Sequence, residues 1–115
     1  MQVIVFYATW CKESKKFMKV IEKVRDKVPF KIEEVLCDNL DKDFELNKIL
    51  IKYNIHNIPT ILLLDDQKEI IRIGPGNILT VKRFNASILN RYIFEKEVKE
   101  FTNNRYDIME SKRNR

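Results

Sequence analysis

Apolar residues along this chain switch repeatedly between two spacings. Val3 to Tyr7 is a short continuous apolar run, the pattern of a strand buried on both faces. From Lys12 to Val28 the apolar positions Phe17, Val20, Ile21, Val24 and Val28 fall at helical spacing, and Pro29 closes the segment. Residues 31–37, KIEEVLC, predict a second strand, with the Glu33–Glu34 pair weakening its alternation. Asp41 to Asn54 predicts a helix carrying Leu46, Ile49, Leu50 and Tyr53 on one face. Asp41 and Asp43 lie where the positive end of that helix dipole favours acids. The stretch PTILLLDDQKEIIRI then holds two β-rich runs about a polar turn at Asp65–Lys68, a hairpin signal. A GPGN loop with both glycines of the chain, Gly74 and Gly76, leads to a last helix from Asn85 to Phe101.

The order β-α-β-α-β-β-α belongs to the α/β class. A helix joins the first two strands, so they should run parallel, and the hairpin adds two antiparallel ones. The expectation is a central four-stranded mixed sheet with helices on both faces. No repeat or linker divides it, so residues 1–102 are read as one domain and the polar residues 103–115 as a C-terminal tail.

Composition narrows the function classes. With 115 residues, 44% hydrophobic and 34% charged, the chain can bury one modest core and is too apolar to be disordered. No apolar run approaches the ~18 residues of a membrane span, so no membrane is expected as a partner. The start, MQVIVFYA, has no basic n-region or long h-region and reads as a strand rather than a signal peptide. Two cysteines without such a signal fit a reducing compartment. A cytoplasmic location is therefore expected, where a cysteine is either catalytic or simply buried. The net charge of +5 is concentrated. Between Lys12 and Lys31 eight basic residues face three acidic ones, an excess equal to that of the whole chain. A solvated outer helix face explains most of it, and the same charges set a positive field beside Cys11. Acidic protein segments are thus expected partners. Nucleic acid is not, since aromatic and basic residues do not interleave.

Cys11 is the candidate nucleophile. It stands between a strand end and a helix start, where unpaired N–H groups and the helix dipole favour the thiolate, and Lys12, Lys15 and Lys16 are expected to add to that effect. Three features surround it: FYATWC, an aromatic-rich strand end with Trp10 directly before Cys11; NIHNIPTILLL, with Ile58-Pro59-Thr60; and Gly74 after the hairpin. In this combination the chain resembles the thioredoxin family over residues 2–102. It begins at what would be the second strand, so the first strand and helix of full thioredoxins are absent. The resemblance implies disulfide exchange at Cys11 and a cis Ile58–Pro59 bond facing it. It also implies that the backbone of Ile58 is open to an extended substrate, with Trp10, Lys12, Pro59 and Gly74 lining the rest of a shallow groove. Asp38, after the second strand, is the acid that the family places in support of Trp10. Outside that context, Pro59 would be an ordinary proline opening a strand.

The departures carry equal weight. Family members usually have Cys-Gly-Pro-Cys, and this chain has Cys11-Lys12-Glu13-Ser14. A serine is a negligible nucleophile toward sulfur, though its hydroxyl can donate to a thiolate. Val5 stands where the family keeps a buried acid that assists the resolving step. The attacking half of the chemistry remains and the resolving half is gone. The expected activity is that of a monothiol CxxS protein that forms mixed disulfides with protein thiols or glutathione and is released by an outside thiol reductant. Cys37, ending the second strand on the same sheet edge, is an accessory resolving candidate, with core packing its first reading. His56, the sole histidine, is either an accessory contact near Pro59 or merely solvated. One histidine and two separated cysteines give no metal-ligand spacing, and no metal or other cofactor is expected. The Gly-Phe and Gly-Gly elements of cluster-sharing monothiol glutaredoxins are missing, and the Asn85-Ala86-Ser87 glycosylation pattern has no secretory signal to serve it. The alternative function is a thioredoxin fold kept as a non-catalytic binding module. Dim-type spliceosomal proteins are the comparison, through DKDFELNKILIKYN and GPGN. They lack the Trp-Cys and Ile-Pro-Thr elements found here, and a fold alone cannot choose between the two.

Overall fold

Strand β1 (Gln2–Tyr7) lies inside the sheet because both of its faces are apolar: Val3, Ile4, Val5 and Phe6 are all buried. The sheet order is β2-β1-β3-β4. β1 pairs in parallel with β2 (Ile32–Leu36) and antiparallel with β3 (Thr60–Asp65), which forms a hairpin with β4 (Lys68–Ile73). The computed structural model describes the backbone of residues 1–113 and the side chains of residues 1–102. Phe6 lies opposite Val35 on one side and Thr60 on the other, which brings the ends of β1 and β2 and the start of β3 to a single sheet edge.

The alternation of β1 and β3 supplies two cores. Val3, Val5, Ile61 and Leu63 face helix α1 (Lys12–Val24), through Phe17, Val20, Ile21 and Val24, and also Phe84 and Ile88. On the opposite face Ile4, Phe6, Leu62 and Leu64 pack with Cys37, Ile55 and Leu46 of α2 (Phe44–Lys52). Burying each such aliphatic or aromatic side chain stabilises by about 1.5–3 kcal/mol. The result is a mixed four-stranded sheet covered by helices on both faces.

Boundaries differ from the sequence expectation for physical reasons. α1 stops at Val24 instead of Val28; Pro29 disfavours helical geometry at Val28, and the chain leaves the helix a turn earlier. α2 begins at Phe44 because the Asp43 carboxylate caps it, accepting from the Leu46 N–H at 3.0 Å, and Asp41 therefore lies outside. Ile49 is exposed rather than packed; Leu46, Leu50 and Tyr53 make the contact. Arg72, reaching from β4, donates to the carbonyls of Tyr53 and Asn54 at 2.7 and 3.0 Å and so satisfies the end of α2. The last helical region starts before Asn85, at α3 (Val81–Phe84), capped by the Thr80 hydroxyl on the Arg83 N–H. It widens into a π-helical turn (Asn85–Leu89) and continues as α4 (Asn90–Arg113), past Phe101 and through 103–113, most of the stretch read as a tail. The last two residues of that stretch lie outside the described residues. The β3–β4 turn places Asp66 and Gln67 at φ 49° and 69°, the left-handed pair whose twist matches a hairpin. Among the described residues no helix is long and apolar enough to cross a membrane.

Candidate active site

Cys11 is the residue that caps α1. Its backbone is extended (φ −94°, ψ 120°) and its carbonyl accepts the Lys15 N–H at 3.1 Å, while no side chain caps the first-turn amides. The N–H groups of Glu13 and Ser14 instead favour a charged sulfur at that helix end. Ser14 is wholly buried one helical turn on, and its Oγ accepts the Ala8 N–H at 3.1 Å. That leaves the hydroxyl proton for Cys11. Burial is the largest single influence on Cys11 and pushes the thiol up. The Ser14 hydroxyl and the Ser14 and Glu13 N–H groups together outweigh it and the repulsion from the Glu13 carboxylate, so the thiol sits below its ordinary value. The three lysines are not among the groups acting on it. Lys12, Lys15 and Lys16 are exposed, where water and salt weaken their field. The sequence reading credited them, and the hydroxyl and the helix end take their place.

The Ile58–Pro59 peptide is cis and lies beside this cysteine. The Cys11 thiol donates to the Ile58 carbonyl at 3.8 Å, and Thr60 Oγ1 donates to the Asn57 carbonyl at 2.7 Å, holding the loop. Pro59 is buried and Ile58 half-buried. Trp10, directly before Cys11 in the chain, is 65% exposed. Asp38 does not hold Trp10. Its carboxylate accepts both the N–H of Thr9, at 2.7 Å, and the Thr9 hydroxyl, fixing the turn one residue earlier.

Other candidates are placed elsewhere. Gly74 has open space around it and offers its carbonyl to Asn77 at 3.0 Å. The loop residue tied to the site is Gly76, at φ +87°, whose N–H donates to the Glu13 carboxylate at 3.2 Å. His56 pairs with the Asn54 side chain at 2.6 Å and lines a separate cavity of about 400 Å³ with Tyr53 and Arg72, without a hydrogen bond to Cys11. Cys37 is fully buried, its sulfur on the Val35 carbonyl at 3.5 Å, and burial pushes its thiol up to about 11. Both cysteines are free. Cys37 is thus a protonated core residue at neutral pH, poorly suited to attack a mixed disulfide. Thr9 went unnoticed in the sequence; Glu13 figured there only within the Cys11-Lys12-Glu13-Ser14 stretch, and Gly76 only as part of the GPGN loop. Among the described residues no group of three or more His, Cys, Asp or Glu could hold a metal ion.

The arrangement suits nucleophilic attack by one activated sulfur on an extended chain passing Ile58. Comparisons with known proteins bear on the family and the fold. The family model for thioredoxin matches residues 1–91. Thioredoxin-1 of Saccharomyces cerevisiae is 32% identical over 85 residues, spanning 74% of this chain and 78% of that protein. Thioredoxin 1 of the thermophilic eubacterium Thermosipho africanus superposes with a TM-score of 0.63 at 18% identity, over 84% of this chain and 99% of that one. A mutant thioredoxin from Halobacterium salinarum gives 0.62 at 16% identity, over 78% and 72% of the two chains. At those identities the two structures speak to the fold.

Proposed function

The chain belongs to the thioredoxin family, and on that premise we propose that it exchanges thiols and disulfides through Cys11 alone. The observation that carries this reading is the environment of the sulfur. Two helix N–H groups and the Ser14 hydroxyl favour its thiolate, and the Ile58 carbonyl lies 3.8 Å away at the edge where a substrate would pass. The Cys11 thiolate attacks one sulfur of a disulfide R–S–S–R′. A Cys11–S–S–R bond forms as the S–S bond breaks, and R′–S⁻ leaves and takes a proton from water. A second thiolate, from glutathione or a protein thiol, then attacks the mixed disulfide. Cys11 leaves as the thiolate and the attacking thiol is oxidised into a new disulfide with R.

An extended peptide can satisfy the backbone polar groups of Ile58 in the manner of an added strand. Trp10 and Ile58 make that groove apolar, with Pro59 buried beneath it, and the lysines of α1 make its flank basic, so acidic segments near the attacked cysteine are favoured partners. Two free cysteines suit work in a reducing compartment, and the cytoplasm is the proposed location. The test is alkylation of Cys11 against pH, with glutathionylation followed by mass spectrometry. The reading requires alkylation at neutral pH faster than that of a free cysteine peptide. It fails if Cys11 is no faster, or if Cys11→Ser leaves partner capture unchanged, in which case a non-catalytic binding module replaces it.

A further inference from the structure

Beside the attacking cysteine, α1 and the loop after β4 enclose a cavity of about 300 Å³ that no step of the exchange uses. Its floor is Phe17 and Leu79, both almost wholly buried, and one wall is Ile78, which is 80% exposed. Glu13 and Lys16 form the rim. The loop carrying Ile78 is held in place by the Gly76 N–H on Glu13 and by Asn77 on the Gly74 carbonyl. We propose that this cavity is a specificity pocket for a large apolar side chain two residues from the cysteine of the captured peptide. The inference rests on the monothiol exchange reading.

Three observations select that occupant. The first is spacing. Glu13, Lys16 and Phe17 follow Cys11 by two, five and six residues, which is roughly 3–9 Å along the helix axis. Two residues of extended chain cover about 6.6 Å, and side chains at that separation point to the same face. A peptide whose cysteine meets Cys11 and whose chain continues alongside α1 then presents its second neighbour to the cavity. The second is chemistry. The floor and wall are aromatic and aliphatic, and the Glu13 carboxylate already accepts the Gly76 N–H and is flanked on its helix by Lys12 and Lys16, so a cationic side chain gains little there. The third is continuity. Ile78 and Trp10 are large apolar residues left exposed at the same end of the molecule as Cys11, and exposed apolar surface of that kind marks an interaction site.

The test uses two synthetic peptides, each with a central cysteine carried as its 5-thio-2-nitrobenzoate mixed disulfide. One has phenylalanine two residues to either side of the cysteine and the other has serine. Release of the coloured thiolate reports attack by Cys11, and 5,5′-dithiobis(2-nitrobenzoate) serves as a small disulfide with no peptide. The native chain should react about tenfold faster with the phenylalanine peptide, the scale expected from burying much of one aromatic side chain. Ile78→Ser, at an exposed loop position, should bring the ratio of the two rates toward one. Equal rates for the two peptides, with the small disulfide still attacked, overturn the pocket alone, as does a ratio that Ile78→Ser leaves unchanged. Failure of Cys11 to react with the small disulfide overturns the exchange reading and the pocket with it.

Discussion

Replacing Ser14 by alanine tests the site at the residue where fold and chemistry meet. The hydroxyl serves two neighbours at once: it accepts the Ala8 N–H at 3.1 Å and favours the charged form of the Cys11 sulfur. The Ser14→Ala variant would leave the Ala8 N–H with no acceptor in a buried setting, and an unmet buried donor costs about 1–3 kcal/mol. For a domain near this size each kcal/mol lowers Tm by about 4–8 °C, so a loss of several degrees is expected. The second effect is on reactivity. Removing the hydroxyl takes away the strongest influence that lowers the Cys11 pKa, leaving the helix N–H groups to work against burial and Glu13. The sign follows directly: with the folded pKa raised toward the ordinary thiol value, less thiolate is present at neutral pH, and alkylation slows there while converging with the native rate at high pH. Iodoacetamide labelling across the pH range, read by mass spectrometry at Cys11, measures this beside a thermal melt. A pH profile identical to that of the native chain would refute the claim that Ser14 activates the thiol, whatever happens to Tm. An unchanged Tm would refute its role as acceptor for Ala8.

Two other outcomes follow from the same geometry. Ser14→Cys should create insulin-type dithiol reductase activity, since attack and release then become intramolecular; abundant multiple-turnover insulin reduction by the native chain, with no added resolving thiol, would contradict the single-cysteine mechanism. Cys37 has a folded pKa raised to about 11, so its contribution to stability is complete below the ordinary thiol value and is lost as pH rises through about 9 to 11, by roughly 3 kcal/mol. Alkaline melts should show that loss in the native chain and not in Cys37→Ala, which is less stable overall, and labelling of Cys37 should require unfolding.

Much of the fold was legible because hydrophobic spacing is a direct record of burial. Val3 to Phe6 could only be a strand covered on both sides, and Phe17, Val20, Ile21 and Val24 could only share one helical face. The cis bond at Ile58–Pro59 was expected only from the family resemblance, and the structure has it beside Cys11. What escaped the sequence depends on which backbone groups the tertiary structure leaves unpaired. Arg72 caps α2 from a strand eighteen residues further on than Asn54, and no local pattern announces that. Asp38 was assigned to Trp10, yet the turn exposes the Thr9 N–H to it instead. Gly74 drew attention as a glycine after the hairpin, but the positive φ and the contact with α1 fall on Gly76. Ile49 has helical spacing from Leu46 and still faces water, because the sheet face covered by a helix of this length admits Leu46, Leu50 and Tyr53. The lysines near Cys11 were overvalued since sequence proximity says nothing about screening.

Losing the second cysteine changes which step limits a thioredoxin-like protein, and the same environment that drives attack then governs release. On the monothiol reading, a thiol held below its ordinary pKa is a good nucleophile at neutral pH because more of it is ionised, and it is also a better leaving group. An outside thiolate that attacks the mixed disulfide at the substrate sulfur expels Cys11 into the N–H groups of Glu13 and Ser14 and the Ser14 hydroxyl, which already favour its charge. Attack at the Cys11 sulfur would instead expel the substrate thiolate, which those groups do not stabilise, and the approach is narrowed by the Ile58 loop at 3.8 Å. The product of release is therefore a substrate joined to the resolving thiol, with Cys11 regenerated. A serine at position 14 suits this cycle better than an alanine or a valine would. Its hydroxyl holds the turn through Ala8 and receives the departing thiolate, and it cannot itself close the reaction. On the monothiol reading, the lifetime of the captured complex is set by the supply of outside thiol, and the occupancy of Cys11 would follow the reducing capacity around it.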